Sequence, residues 1–183
     1  NMWGAEKTLT FSLTSNPGSW PTANSTTLTN YTYTLDKVAY TFGLKNVKCN
    51  SGYLMLTSTA VLGLPAIEGY KLTKVVAKNS SGCSTSTKIG ISSSSSSASY
   101  ISAQTWATQS SSYTYELDET SDNTVYYLYV TNKNAQVTEL TLTYEGGSDP
   151  TEPSLSVSPE TIDFGEVDAG TESVEGKEVT ITM

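Results

Sequence analysis

Any chemistry this chain performs must come from aromatic rings, hydroxyls, amides and carboxylates. Its 183 residues contain no His, and all ten basic residues are Lys. Without imidazole there is no Ser-His-Asp or Cys-His catalysis and no His-liganded zinc; without guanidinium there is no bidentate fork for phosphate.

The aromatic residues offer sugar recognition. Trp and Tyr rings stack on the apolar faces of pyranose sugars while Asn, Thr and Ser hydrogen-bond the hydroxyls. Trp20, set among Gly and Pro turns, and Tyr100 and Trp106, beyond a serine run, fall on segments read as loops, where such a platform could form. The plainer alternative is that these rings plug the ends of the fold, since large aromatics are more often buried than displayed. Tyr127 and Tyr129, with Thr141 and Thr143, make a second surface on an outer sheet face. It reads as a glycan contact, a contact with a neighbouring domain, or ordinary cross-strand pairing.

Oxygen ligands come next. Asp118, Glu119 and Asp122 fall within one short segment that Ca²⁺ would accept, although the spacing matches no defined calcium loop and a solvated turn explains the same residues. A structural Ca²⁺ is the sole cofactor the sequence admits. Glycosidase chemistry needs two carboxylates across a cleft. The acids of the first 144 residues fall mostly at expected turns with nothing to pair them, so the chain reads as non-catalytic. Cys49 and Cys83 are the two cysteines. They form either one disulfide, worth about 3 to 4 kcal/mol in the loop-entropy picture, or two separate thiols; spacing alone does not decide.

The elements that must position these residues are strands. Ser and Thr make up about three residues in ten, a composition suited to exposed strand faces and loops. Leu9, Phe11 and Leu13 alternate with Thr8, Thr10 and Ser12, and the Pro and Gly of Ser15-Asn-Pro-Gly-Ser-Trp-Pro21 end that strand. Residues 24–30 read as a polar connection. Further strands follow around Val38 to Leu44, Tyr53 to Leu56, Tyr70 to Lys78 with a bulge near Lys74-Val75-Val76, Thr87 to Ile91, and Tyr113 to Leu117. The serine run 92–97 reads as a surface loop. Residues 124–131 and 137–144 alternate on either side of an Asn-containing break, which predicts a closing hairpin with Tyr126, Leu128 and Val130 on one face and Tyr127, Tyr129 and Thr131 on the other.

Short strands with turn signals and no sustained helical period predict an all-β, antiparallel β-sandwich of jelly-roll type. The expected inward set is Leu9, Phe11, Val38, Tyr40, Phe42, Leu54, Leu56, Leu72, Val76, Ile89, Ile91, Leu128, Val130, Leu140 and Leu142.

Charge is uneven. Residues 1–144 carry eight acids against nine lysines, whereas residues 145–183 carry ten acids against Lys177 alone. A neutral body and an acidic tail do not attract a polyanion, so nucleic acid is not an expected partner. No apolar run approaches the ~20 residues that span a bilayer, and no signal peptide is present, so an exported protein would be represented in its mature form.

Gly146-Gly-Ser-Asp-Pro-Thr-Glu-Pro153 marks a linker, giving a domain at 1–145, a linker at 146–153 and a segment at 154–183. Some thirty residues cannot enclose a core alone. The last segment should therefore continue in a longer natural chain or pair with a neighbouring strand edge.

Residues 8–145 resemble the Ser/Thr-rich β-sandwich domains of secreted and surface-anchored proteins of gut Bacteroides-type bacteria. The resemblance rests on Ser15-Asn-Pro-Gly-Ser-Trp-Pro21, Asn50-Ser-Gly-Tyr-Leu-Met-Leu56, Gly69-Tyr-Lys-Leu-Thr-Lys-Val75 and Tyr126-Tyr-Leu-Tyr-Val-Thr-Asn132. Residues 154–183, with Leu155-Ser-Val-Ser-Pro159, Phe164-Gly165, Val167 and Ala169-Gly170, resemble the opening of a bacterial immunoglobulin-like domain whose later strands are missing. The resemblance implies an extracellular or cell-surface location and an accessory role. The expected function is glycan binding. The rivals are a spacer or adhesin domain that contacts another surface protein, and a module appended to an extracellular hydrolase.

Overall fold

The alternation of apolar and hydroxyl side chains becomes strand after strand in the computed structural model, which describes residues 5–146, 156–158 and 180–182. The strands are β1 (Glu6–Ser12), β2 (Thr29–Leu35), β3 (Val38–Asn50), β4 (Tyr53–Gly63), β5 (Tyr70–Asn79), β6 (Thr87–Ser92), β7 (Tyr100–Trp106), β8 (Ser112–Glu116), β9 (Tyr127–Val130) and β10 (Ala135–Gly146). Two short strands follow, β11 (Ser156–Ser158) and β12 (Thr180–Thr182). Every pairing is antiparallel and the described residues contain no helix, so the protein is all-β.

Strand β4 organises the first ten strands. One edge pairs with β3 along most of its length. The other edge is shared: Leu54–Leu56 meets β10, and Val61–Gly63 meets β9. The continuous sheet thereby folds into two layers, β2-β3-β4-β9-β6-β7 and β1-β10-β5-β8. Their inner faces interlock through aromatic rings. Phe11 of β1 makes edge-on contacts with Phe42 and Tyr33, both at 5.0 Å, and with Tyr40 at 5.4 Å. Such geometry suits ring quadrupoles better than face-to-face stacking. Leu54, Leu56, Leu62, Ile89, Ile91, Leu128, Val130, Leu140 and Leu142 complete the core, all buried.

The expected closing hairpin is not formed. Strand β9 pairs with β4 and β6, whereas β10 pairs with β1, β4 and β5, so residues 131–134 carry the chain from one layer to the other. The facial alternation within the two strands is as expected: Tyr126, Leu128 and Val130 are buried, and Tyr127, Tyr129 and Thr131 half-buried. Periodicity reports which side of a strand is wet, not which strand lies beside it.

Three local assignments are corrected. The connection read at 24–30 runs into β2, whose Tyr31, Tyr33 and Leu35 pack against the core from an edge position. A two-residue turn joins it to β3 through Asp36 and Lys37, both at positive φ (50° and 69°), the type I′ geometry that matches strand twist. Val38, expected inside, is 51% exposed at the start of β3. Val75 rather than Val76 faces inward, because the pairing of β5 with β10 slips between Lys74 and Leu72 and inverts the parity on one side of the bulge. The serine run forms the loop between β6 and β7; the Ser92 hydroxyl donates within it, 2.9 Å from Ser97 O and 3.1 Å from Ser94 O.

The chain divides into two compact units, Asn1–Gly147 and Ser148–Met183. Strand β10 runs through Gly146, the first residue of the expected linker; the linker at 147–153 lies outside the described residues. So does most of the expected immunoglobulin-like segment 154–183. Within it β11 and β12 pair with each other, Val157 opposite Ile181. No helix among the described residues is long and apolar enough to cross a membrane.

Candidate functional site

The structure does not bring Trp20, Tyr100 and Trp106 together as a platform. Trp20 is 3% exposed. Asn16 shapes its loop by accepting from the backbone N–H of Gly18 and Trp20 at 3.1 and 3.2 Å, which tucks the indole under β2. There its N–H donates to Thr32 O at 2.8 Å and its ring meets Phe42 at 5.2 Å. Trp106 is fully buried at the end of β7, stacked on Tyr113 at 5.1 Å. Both indoles belong to the core, where an N–H partner makes burial tolerable. Tyr100 is half-buried on β7 rather than on a loop. Its hydroxyl donates to Tyr129 O at 3.1 Å, its ring meets the Tyr129 ring edge-on at 6.5 Å, and the Lys88 ammonium sits 5.8 Å from its centroid. Burial pushes its phenol above the ordinary tyrosine value.

The second expected surface is split between layers: Tyr127 and Tyr129 stand on β9, whereas Thr141 and Thr143 stand on β10, where their hydroxyls meet those of Thr10 and Thr8 at 3.1 and 3.4 Å. Of the four, Tyr127 borders a groove. On the outer face of the layer containing β4, direct cross-strand partners run Asn30, Gly43, Gly63, Tyr127, Ser92 and Tyr100, from β2 to β7. Two adjacent glycines interrupt this row of side chains and leave a trough. The result is a groove of about 620 Å³ with Gly43 and Gly63 in its floor, Tyr127 on one flank, and Leu28, Asn30 and Thr41 on the other. Val125 and Ala66 also line it, from neighbouring loops.

The floor is built on close approach. A β-carbon at Gly63 would lie 3.2 Å from Gly43 N and 3.3 Å from Tyr127 Cε1, so the tyrosine ring leans over the position a side chain would fill. A β-carbon at Gly43 would lie 3.2 Å from Leu28 Cδ1 and 3.4 Å from Asn30 Oδ1. A glycine inside a strand marks such approach, and it was the available signal for this site in the sequence. Asn30 is exposed, and its amide makes no hydrogen bond among the described residues, unlike those of Asn16, Asn79, Asn132 and Asn134. An aromatic flank, a backbone floor and a free amide set one ring beside a lining that is otherwise largely polar.

Asp118, Glu119 and Asp122 do not converge. All three are exposed, and no group of three or more metal-ligating side chains gathers among the described residues. The loop is fixed by other atoms: the Thr120 hydroxyl donates to Leu72 O, and Ser121 N donates to the Tyr126 hydroxyl at 2.9 Å. Glu6, Glu116, Asp118 and Glu145 line a shallow depression interleaved with Lys71 and Lys74, with Lys74 Nζ 3.4 Å from Glu116.

The disulfide is not formed; Cys49 and Cys83 are both free thiols. Cys49 is on β3, opposite Leu54 of β4, whereas Cys83 Sγ accepts from Gln136 N of β10 at 3.4 Å. Strand β4 separates β3 from β10 here. Two strand spacings, roughly 10 Å, exceed the reach of a disulfide. Burial raises both thiol pKa values.

No family model and no curated protein matches the sequence. Among solved structures, the GH26-CBM35 β-(1,4)-mannanase of Podospora anserina is similar with a TM-score of 0.39 and 14% identity. The likeness covers 81% of this chain, which spans 30% of that one.

Proposed function

We propose that the protein is a non-catalytic glycan-binding module of an exported or cell-surface protein, and that its site is the groove over Gly43 and Gly63. One observation carries the reading: paired glycines on adjacent strands open a trough in the outer sheet face, with the Tyr127 ring on one flank and the free Asn30 amide on the other. A pyranose laid in the trough presents its C–H face to Tyr127 and its hydroxyls to Asn30 and Thr41. The support is this geometry.

Affinity electrophoresis against a panel of soluble polysaccharides tests it. Retention by at least one glycan is expected, with loss on Tyr127→Ala. No retention across the panel, or retention that Tyr127→Ala leaves intact, would sink the proposal. Leu28 and Val125 expose large apolar surface at the rim, 36% and 39%, which favours protein contact as the second reading. Pull-down of a partner through the groove in the absence of any glycan retention would establish it.

A further inference from the structure

We infer that the groove selects an uncharged stretch of glycan and discriminates against uronic or sulfated chains; the inference rests on the glycan-binding reading above. No Asp, Glu or Lys lines the groove. Carboxylates line two other depressions, one at Lys71 and Lys74 and one beside Tyr100. Inside the groove the polar contacts available are an amide, hydroxyls and backbone groups, which satisfy sugar hydroxyls but offer no counter-charge.

A carboxylate or sulfate seated on Tyr127 would lose water without gaining an ionic partner. The negative face of the ring adds repulsion. Lys45 is the nearest cation by register, two residues along β3 from Gly43 and directly opposite Val61. It does not line the groove, and it is half-buried. The Lys88 ammonium lies 5.8 Å from the Tyr100 ring and does not line the groove. Recognition in the groove is therefore by ring face and hydroxyl pattern, and ionic strength has little to screen.

Matched polysaccharides, a neutral galactan against a polygalacturonan and a neutral glucan against its sulfated form, compared by affinity electrophoresis at low and high salt, read the inference directly. The neutral member of a pair is expected to be retained at least about tenfold more strongly, equally at both salt concentrations, with loss on Tyr127→Ala. Preferential retention of the anionic member, weakened by salt and by Lys45→Gln yet still lost on Tyr127→Ala, would overturn the charge selectivity while leaving the groove as the glycan site. Retention of no member of either pair, nor of any glycan in the wider panel, would remove both.

Discussion

The indole N–H of Trp106 donates to the Tyr115 hydroxyl at 2.8 Å, and that hydroxyl donates in turn to Ile89 O at 3.1 Å. Residues of β7, β8 and β6 are joined in one buried relay, with Trp106 and Tyr115 inaccessible to solvent. This relay is why Trp106 serves the fold rather than a ligand: each buried polar atom on it has its partner, and moving the indole outward would take the donor away from the buried Tyr115 oxygen.

Tyr115→Phe removes the middle of the relay. The Trp106 N–H and the Ile89 carbonyl remain buried without that partner, and leaving such groups unsatisfied costs about 1 to 3 kcal/mol. Chemical denaturation should show a lower midpoint at unchanged slope. A variant as stable as the parent would mean that water replaces the hydroxyl.

Alkaline stability follows from burial. Desolvation holds the phenols of Tyr115 and Tyr144 well above the ordinary tyrosine value, and the Tyr144 hydroxyl donates to Pro65 O at 2.7 Å. In the unfolded chain both titrate near pH ~10. Below that pH both states are protonated and the contribution is complete. Above it the unfolded chain releases protons first, so stability falls as pH rises, by up to about 1.4 kcal/mol per pH unit for each tyrosine. Denaturation midpoints measured from pH 8 to about pH 12 should decline above pH ~10, and the decline should be shallower in Tyr144→Phe.

Much of this fold was legible because alternation is a direct record of burial. The rows Leu140, Leu142, Tyr144 and Leu128, Val130 face inward as their spacing implies. What alternation does not encode is neighbourhood, so the pattern of β9 and β10, adjacent in sequence, predicts a hairpin although they belong to different layers. A single bulge sufficed to exchange Val75 for Val76. The candidate site was legible by half: Tyr127 was visible as an outward aromatic, but the groove beside it is made of missing side chains at Gly43 and Gly63. Their significance depends on β3 and β4 pairing in one register.

The β2–β3 turn carries removable strain. Lys37 sits at φ 69°, in the left-handed region that costs an ordinary residue roughly 1 kcal/mol and glycine little. Lys37→Gly should raise the denaturation midpoint by an amount equivalent to about 0.5 to 1 kcal/mol, since Asp-Gly is a favoured pair for this turn. A fall would mean that the lysine side chain contributes more than its backbone costs.

The free thiols predict indifference to reductant. Thermal unfolding with and without dithiothreitol should coincide, because no bridge links Cys49 to Cys83. Native alkylation should leave Cys83 unmodified until the protein is denatured, since it is buried and its thiol pKa is raised; less thiolate means a slower nucleophile. Rapid loss of both thiols under native conditions would contradict the position of Cys83 beneath β10.

Gly43 and Gly63 should separate binding from stability. At Gly43 an added β-carbon meets first the ends of two side chains, Leu28 Cδ1 and Asn30 Oδ1, which can swing aside. At Gly63 it meets the backbone of Gly43, which cannot move without prising β3 from β4. Gly43→Val should therefore fold with stability within about 1 kcal/mol of the parent, as extended backbone accepts a β-branched residue, while filling the trough and weakening glycan retention by about tenfold or more. Gly63→Val should lose both, at a cost of about 1 to 3 kcal/mol from overpacking. Denaturation and affinity electrophoresis on the same preparations read the two effects apart. Undiminished retention by a well-folded Gly43→Val would place the binding surface outside the groove.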